Sequence, residues 1–249
     1  MHPSYFVIDK NRIHMEAKKV VYITGGSKGI GKGIAQYLLE QGYRVAISSR
    51  KLEAAREAAS SLKAGDDVLA LQSDVTNAAD EQQAVKNILG KWGRLDVLVA
   101  NAGVGHFADI AEMTTAQWHQ TIDTNLTGVF NSVKASLDAL KNSKGYIITI
   151  ASLAGTNFFV KGTAYNASKF GLVGFTQALM LDLRQHDVKV TTIMPGSVAS
   201  HFNDHVPTEE DVWKIQPEDI GQLVYDLLQM HPRALPSKVE IRPSKTPSK

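Results

Sequence analysis

Short β-rich apolar runs alternate with helix-length segments along the whole of this chain, and that alternation leaves few folds open. Residues 19–24, 44–48, 68–71, 95–100, 146–150, 188–194 and 238–241 read as strands. The run from Leu95 to Ala100 is nearly all apolar, as expected for a central parallel strand buried on both faces. Residues 29–42, 51–63, 77–92, 115–141, 163–186 and 217–230 read as helices. In the first of these, Ile30, Ile34, Tyr37, Leu38 and Leu39 fall mostly on one face. Strands joined by helices of about ten or more residues need right-handed crossovers, and so a parallel sheet. The expected class is α/β: a doubly wound, mostly parallel seven-stranded sheet with helices on both faces.

No repeat, linker or composition break divides the 249 residues, so residues 19–242 are read as one domain. Residues 1–18 carry charges and no apolar core, and are read as an N-terminal extension, with Met15 a candidate start. Residues 243–249, rich in Pro, Ser and Lys, are read as a loose tail. A formal net charge of +2 with scattered basic residues gives no footprint for nucleic acid. No apolar run is long enough to span a membrane. The chain has no cysteine, which removes thiolate metal sites and disulfides and fits a cytoplasmic setting. The eight histidines lack metal-binding spacing, so no metal is expected.

The first strand runs into Thr24-Gly25-Gly26-Ser27-Lys28-Gly29-Ile30-Gly31. Glycines at 25, 29 and 31 allow a tight turn and close approach to an anion. The helix behind them offers unpaired N–H groups and the positive end of its dipole to a pyrophosphate. A dinucleotide-binding, Rossmann-type arrangement follows. The second strand ends in Ser48-Ser49-Arg50-Lys51, where an NAD site would want an acid. Arg50 can pair with a 2′-phosphate through two hydrogen bonds, Ser49 can add a hydroxyl, and Lys28 brings a second positive charge. The expected cofactor is therefore NADP(H).

With these residues in view, the chain resembles the short-chain dehydrogenase/reductase family over nearly all of residues 19–242. The resemblance rests on Thr24-Gly25-x-x-x-Gly29-x-Gly31, Asp74-Val75, Asn101-Ala102-Gly103, Asn125, Ser152, Tyr165-x-x-x-Lys169 and Pro195-Gly196, in that order. It implies that Asp74 contacts the adenine amino group and Val75 the ring. Asn101, Ala102 and Gly103 would line the adenosine ribose side. Pro195, Gly196 and Val198 would hold the nicotinamide, with Ser200 replacing the threonine common in the family. It also implies a homodimer or homotetramer built on the helices 115–141 and 163–186.

The family's catalytic set maps onto Asn125, Ser152, Tyr165 and Lys169. Tyr165 would exchange a proton with the substrate oxygen, and Ser152 would hydrogen-bond that oxygen. Lys169 lies four residues after Tyr165 on one helical face. A charge about 4 Å away is worth roughly 4 kcal/mol at an effective dielectric of about 20, enough to lower the tyrosine by up to about three pH units. Lys169 would also bind the nicotinamide ribose, and Asn125 would anchor a water joining Lys169 to solvent.

The substrate walls are expected from residues 104–107, 154–160 and 197–217, with Phe107, Phe158, Phe159 and Phe202 making the pocket apolar. The loop after Pro195-Gly196 is short and partly acidic, with Glu209, Glu210 and Asp211. These features suit a small or open-ended carbonyl/alcohol substrate. The C-terminal Lys238-Val239-Glu240-Ile241-Arg242-Pro243 resembles the carbonyl and 3-hydroxy acid dehydrogenase branch more than the 3-oxoacyl-(acyl-carrier-protein) reductase branch. A catalytically idle NADP(H)-binding sensor is the alternative of another class.

Overall fold

The computed structural model describes residues 17–246, so most of the expected N-terminal extension and residues 247–249 of the tail lie outside the described residues. The strands are β1 (Val20–Ile23), β2 (Arg44–Ser49), β3 (Val68–Gln72), β4 (Val97–Ala100), β5 (Tyr146–Ile150), β6 (Lys189–Pro195) and β7 (Lys238–Ile241). They form one sheet in the order β3-β2-β1-β4-β5-β6-β7. Every pairing in it is parallel, which sharpens the expected "mostly parallel" sheet.

The helices are α1 (Gly29–Glu40), α2 (Leu52–Ser61), α3 (Ala78–Trp92), α4 (Thr115–Ile122), α5 (Gly128–Ser143), α6 (Thr163–Leu183) and α7 (Pro217–Gln229). Strand alternation sorts them into two layers. Val20, Tyr22, Leu98 and Ile147 face α3, α5 and α6, where Ile88, Val133 and Leu172 complete one core. Val21, Ile23, Val99 and Ile148 face the other way, against Ile34 and Leu38 of α1 and Val224 of α7. Each such aliphatic side chain contributes about 1.5–3 kcal/mol on burial, so both faces must be covered for the sheet to persist.

The expected single helix over 115–141 is interrupted. Between α4 and α5, Asp123–Thr127 form a π-helical turn, closed by the Gly128 N–H on the Asp123 carbonyl. The extra residue rotates everything after it, and Asn125 lies inside it. β4 also starts later than expected, at Val97. Asp96 is buried instead as a clamp, accepting from the Val20 N–H (2.8 Å) and from Arg94 Nε (2.8 Å). No helix among the described residues is long and apolar enough to cross a membrane.

Strand order reverses between β1 and β4, so the helices leaving these two strands depart to opposite sides. The gap above their carboxyl ends is where this fold leaves room for a ligand.

Candidate active site

A cavity of about 590 Å³ opens above that gap. Its floor begins at the glycine turn, where Gly25 (φ 64°) and Gly29 (φ 55°) hold conformations that strain other residues. The N-cap of α1 is Lys28, which makes no side-chain cap, and the first turn of the helix contains no acid. Its leading N–H groups therefore point towards the cavity unmatched by a side chain, an arrangement suited to an anion. Asn101 ties the turn in place, with Nδ2 donating to the carbonyls of Thr24 (2.9 Å) and Gly25 (3.1 Å). The Thr24 hydroxyl accepts from the Asn101 and Ala102 N–H groups.

Of the residues expected at the cofactor, Gly25, Ser27, Lys28, Gly29, Ile30, Ser49, Arg50, Asp74, Val75, Asn101, Ala102, Gly103, Tyr165, Lys169, Pro195, Gly196, Val198 and Ser200 line this cavity. Gly31 does not. A Cβ there would stand 2.5 Å from Asn101 Nδ2 and 2.7 Å from the Gly25 carbonyl, so this glycine lets α1 pack against the underside of the turn. Gly31→Val is expected to cost about 1–3 kcal/mol by overpacking and to weaken dinucleotide binding, measured by thermal melting and by titration with NADPH. At the ends of β2 and β3, Arg50 is exposed and makes no ion pair among the described residues, and Asp74 Oδ1 holds its own turn by accepting from Thr76 N–H and Oγ.

A buried network that sequence reasoning missed lies under these strand ends. Glu81 of α3 is fully buried, and its Oε1 accepts from Ser73 Oγ (2.5 Å) and from the Tyr22 hydroxyl (2.9 Å), which also lies 3.1 Å from Ser48 Oγ. Burial pushes the Glu81 carboxyl up, against the hydrogen bonds it accepts. Ser48 and Ser73 are the neighbours of Ser49-Arg50 and Asp74, so the network braces the segment that faces the adenosine end. In the sequence, Glu81 reads only as a first-turn acid complementing a helix dipole.

Ser152, Tyr165 and Lys169 meet at the opposite end of the cavity. Ser152 extends β5 and caps a short 3₁₀ turn, its Oγ accepting from the Ala154 N–H (3.1 Å). Tyr165 and Lys169 stand one turn apart near the start of α6, on one face. Tyr165 lines the cavity and is half-buried. Burial pushes its hydroxyl up to about 12, opposed by a hydrogen bond with Ser152. Burial pushes the Lys169 amine down to about 8. Burial thus outweighs the expected lowering of Tyr165 by Lys169. Lys169 Nζ donates to the Ile150 carbonyl (3.0 Å) and lies 5.6 Å from the Tyr165 ring centre, and loss of water dominates both groups.

Asn125 does not line the cavity and is almost fully buried. Its Oδ1 accepts from the Val104 N–H (2.8 Å), and Nδ2 donates to the Val104 carbonyl (2.8 Å) and to Ser168 Oγ (3.0 Å). Both amide protons are spent on protein acceptors, so the side chain fixes the wall after β4.

The substrate walls also differ from expectation. Phe107 and Phe202 line the cavity, their rings 5.4 and 5.5 Å from that of Tyr165. Phe159 backs Phe107 at 5.6 Å, and no residue from 154 to 160 lines the cavity. Phe158 instead stacks on Phe170 at 4.8 Å, away from it. Lining residues that the sequence did not single out include Ser73, Thr124, Ile150 and Ala151, each within two positions of one that it did. Among the described residues no group of His, Asp and Glu is placed to hold a metal.

Comparison with known proteins agrees with this geometry. A family model described as short chain dehydrogenase matches residues 19–211. The 3-oxoacyl-(acyl-carrier-protein) reductase of Staphylococcus aureus is 35% identical over 201 residues, 78% of this chain and 80% of the relative. The corresponding reductase of Synechocystis is 35% identical over 212 residues, 82% of this chain and 86% of the relative. An alcohol dehydrogenase from the archaeon Thermococcus sibiricus, complexed with 5-hydroxy-NADP, superposes with a TM-score of 0.86 at 28% identity, over 93% of this chain and 100% of that one. A metagenomic short-chain oxidoreductase in complex with NADP gives 0.80 at 34% identity, over 92% and 98%. The chain belongs to the short-chain dehydrogenase family of oxidoreductases.

Proposed function

We propose that this protein is an NADP(H)-dependent oxidoreductase that interconverts a ketone or aldehyde and an alcohol on a small or open-ended substrate. The observation that carries the reading is one cavity bearing Ser152, Tyr165 and Lys169 at one end and an uncapped helix N-terminus with Arg50 at the other.

The residues present fit the cofactor. A Cβ on Gly25 would stand 2.9 Å from the Ala102 Cα, so only a bare backbone lets the turn close on the segment after β4 while facing a pyrophosphate. Arg50, Ser49 and Lys28 would take the 2′-phosphate, and two similar solved proteins carry NADP or a derivative of it. When bound, the nicotinamide supplies the hydride. Ser152 would donate to the substrate oxygen as negative charge develops there. Tyr165, held protonated by burial, would deliver its proton to that oxygen in the reductive direction. Lys169, charged near neutral pH, would bind the ribose and stabilise the tyrosinate left behind. Phe107 and Phe202 exclude water from the Tyr165 side.

We favour the broad-specificity carbonyl or 3-hydroxy acid type. The relatives at 35% identity favour the second reading, a 3-oxoacyl-(acyl-carrier-protein) reductase. Exposed Phe130 on α5 and Leu181 on α6 support assembly as a homodimer or homotetramer through those helices. NADPH consumption measured across ketoesters, diketones, 3-oxoacyl thioesters and 3-hydroxy acids separates the substrate readings. Tight NADPH binding with turnover of none of them would establish a sensor instead. Arg50→Asp removes a charge-assisted pair and adds a repelling charge. It is expected to lower the NADPH-over-NADH ratio of kcat/KM by about a hundredfold, from about 3 kcal/mol at 1.4 kcal/mol per tenfold. An unchanged ratio overturns the cofactor assignment.

A further inference from the structure

We propose that His205 and Lys214 form a binding site for an anionic group on the substrate, held in place by the buried carboxylate of Asp211. The proposal rests on the reading of the cavity as a carbonyl/alcohol site and names its substrate class: oxo and hydroxy compounds that carry a carboxylate or a phosphate ester.

The loop between β6 and α7 looks acidic in sequence, but the structure turns its charges the other way. Glu209 and Glu210 are exposed and Asp211 is buried, and none of the three lines the cavity. His205 and Lys214 do line it. Asp211 carries both from behind: Oδ2 lies 2.6 Å from His205 Nε2 and Oδ1 lies 2.5 Å from Lys214 Nζ. Oδ2 also accepts from the Thr208 N–H at 3.0 Å. These donors hold the carboxyl well below the usual carboxylate range, with Lys214 the largest influence.

A carboxylate so saturated has little left to repel an incoming anion, while it fixes the direction of both basic side chains. Lys214 spends one of its three N–H donors on Asp211, and His205, when both ring nitrogens carry a proton, donates Nε2–H to Asp211 and has Nδ1–H to offer an anion. The loop is folded for this purpose by short-range bonds. Thr208 and Asp211 cap the same 3₁₀ turn reciprocally, and Ile215 pairs with Val198 beside the Pro195-Gly196 segment.

The pair stands close to the reacting end of the cavity. The His205 N–H donates to the Phe202 carbonyl (3.3 Å), and the Phe202 ring packs 5.5 Å from that of Tyr165. An anion on His205 and Lys214 would therefore sit one tight turn from the aromatic wall that faces Tyr165. Of the other basic residues that line the cavity, His201 precedes Phe202 in the chain and the remaining three lie elsewhere. Lys28 and Arg50 flank the glycine turn and β2, and Lys169 is bonded to Ile150. The acid lining the cavity, Asp74, is at the β3 end. Among the described side chains, the carboxylate bonded to His205 and Lys214 is the one that already holds them, Asp211.

The test compares matched substrates in wild type, Lys214→Met, Lys214→Arg and His205→Asn. One arm pairs a 3-oxo acid with its methyl ester. A second pairs a 3-oxoacyl pantetheine with its 4′-phosphate. In wild type, kcat/KM is expected to favour the anionic member of one arm at least tenfold, which also says whether the anion is carboxylate or phosphate. Lys214→Met is expected to reduce that preference at least tenfold and Lys214→Arg to restore most of it. Calorimetric titration of 3-hydroxybutanoate into the NADP⁺-saturated protein reads the site without turnover, with Kd expected to rise at least tenfold in Lys214→Met. A wild type that prefers neither anion, or a preference untouched in both Lys214→Met and His205→Asn, overturns the proposal. So does a loss that appears equally in the Kd for NADPH, since the cofactor's own phosphates would then be the anion bound. Absence of turnover in wild type with 3-hydroxybutanoate still bound through Lys214 would instead overturn the catalytic reading alone.

Discussion

Replacing Tyr165 by Phe is expected to lower kcat by about a thousandfold while changing the Kd for NADPH by less than about threefold. The size follows from the contribution of a positioned general acid, about 10²–10⁴-fold. The selectivity follows from the surroundings. The ring stays, so its contacts with Phe107 at 5.4 Å and Phe202 at 5.5 Å survive. The hydroxyl alone is removed, together with its hydrogen bond to Ser152. A lost hydrogen bond of this kind is worth about 0.5–1.5 kcal/mol, and the hydroxyl's own desolvation cost disappears with it, so the fold should keep its melting temperature within a few degrees. Steady-state rates, NADPH titration and thermal melting on the same preparation separate the outcomes. A variant with full kcat would remove Tyr165 from the chemistry. A variant that has lost NADPH binding would show that the ring, not the proton, is what matters.

What could be read in the sequence, and what could not, divides along the range of the forces involved. The central strands are legible because parallel strands buried on both faces must be apolar almost throughout, as at Val97–Ala100 and Tyr146–Ile150. The glycine turn is legible because a close backbone approach excludes side chains at fixed positions. The π-turn at Asp123–Thr127 is not, because one extra residue leaves the composition of a helix unchanged and only shifts its phase. That shift is what carries Asn125 inward to Val104 and Ser168. Glu81 is equally hidden, since its partners Tyr22 and Ser73 come from two other strands' worth of chain. The loop before α7 misleads in a third way. Counting charges there finds the acids, whereas the fold decides that Asp211 is buried and that His205 and Lys214 face the cavity. The balance between burial and attraction at Tyr165 and Lys169 is of the same kind. Spacing brings the two together, but only the surrounding structure sets how much water they lose.

That loss of water makes Lys169 a source of instability, and Lys169→Met is expected to make the protein more stable and less active. Lys169 is 4% exposed, and its amine donates to the Ile150 carbonyl at 3.0 Å. Its folded value of about 8 lies below the ordinary 10.5. Below pH 8 the amine is protonated in both states, and the folded protein bears the full cost of holding the charge. At about 1.36 kcal/mol for each pH unit separating the two values, that cost is about 3 kcal/mol. Between pH 8 and 10.5 the unfolded chain binds more protons than the folded one, so the lysine's penalty fades as pH rises. Methionine fills a similar volume without charge, but forgoes the bond to Ile150, worth about 1 kcal/mol. The net expectation is a gain of about 2 kcal/mol at pH 7, a rise in Tm of about 4–8 °C for a chain of this size. The gain should shrink as the melt is repeated at pH 9 and 10, while kcat/KM falls at every pH. A variant that melts lower than wild type at pH 7, or whose Tm difference ignores pH, would mean that the charge of Lys169 is satisfied in the folded protein. Its position beside Tyr165 would then need no functional demand to explain it. If the gain appears, a charge that weakens the fold is kept there because the proton chemistry at Tyr165 requires it.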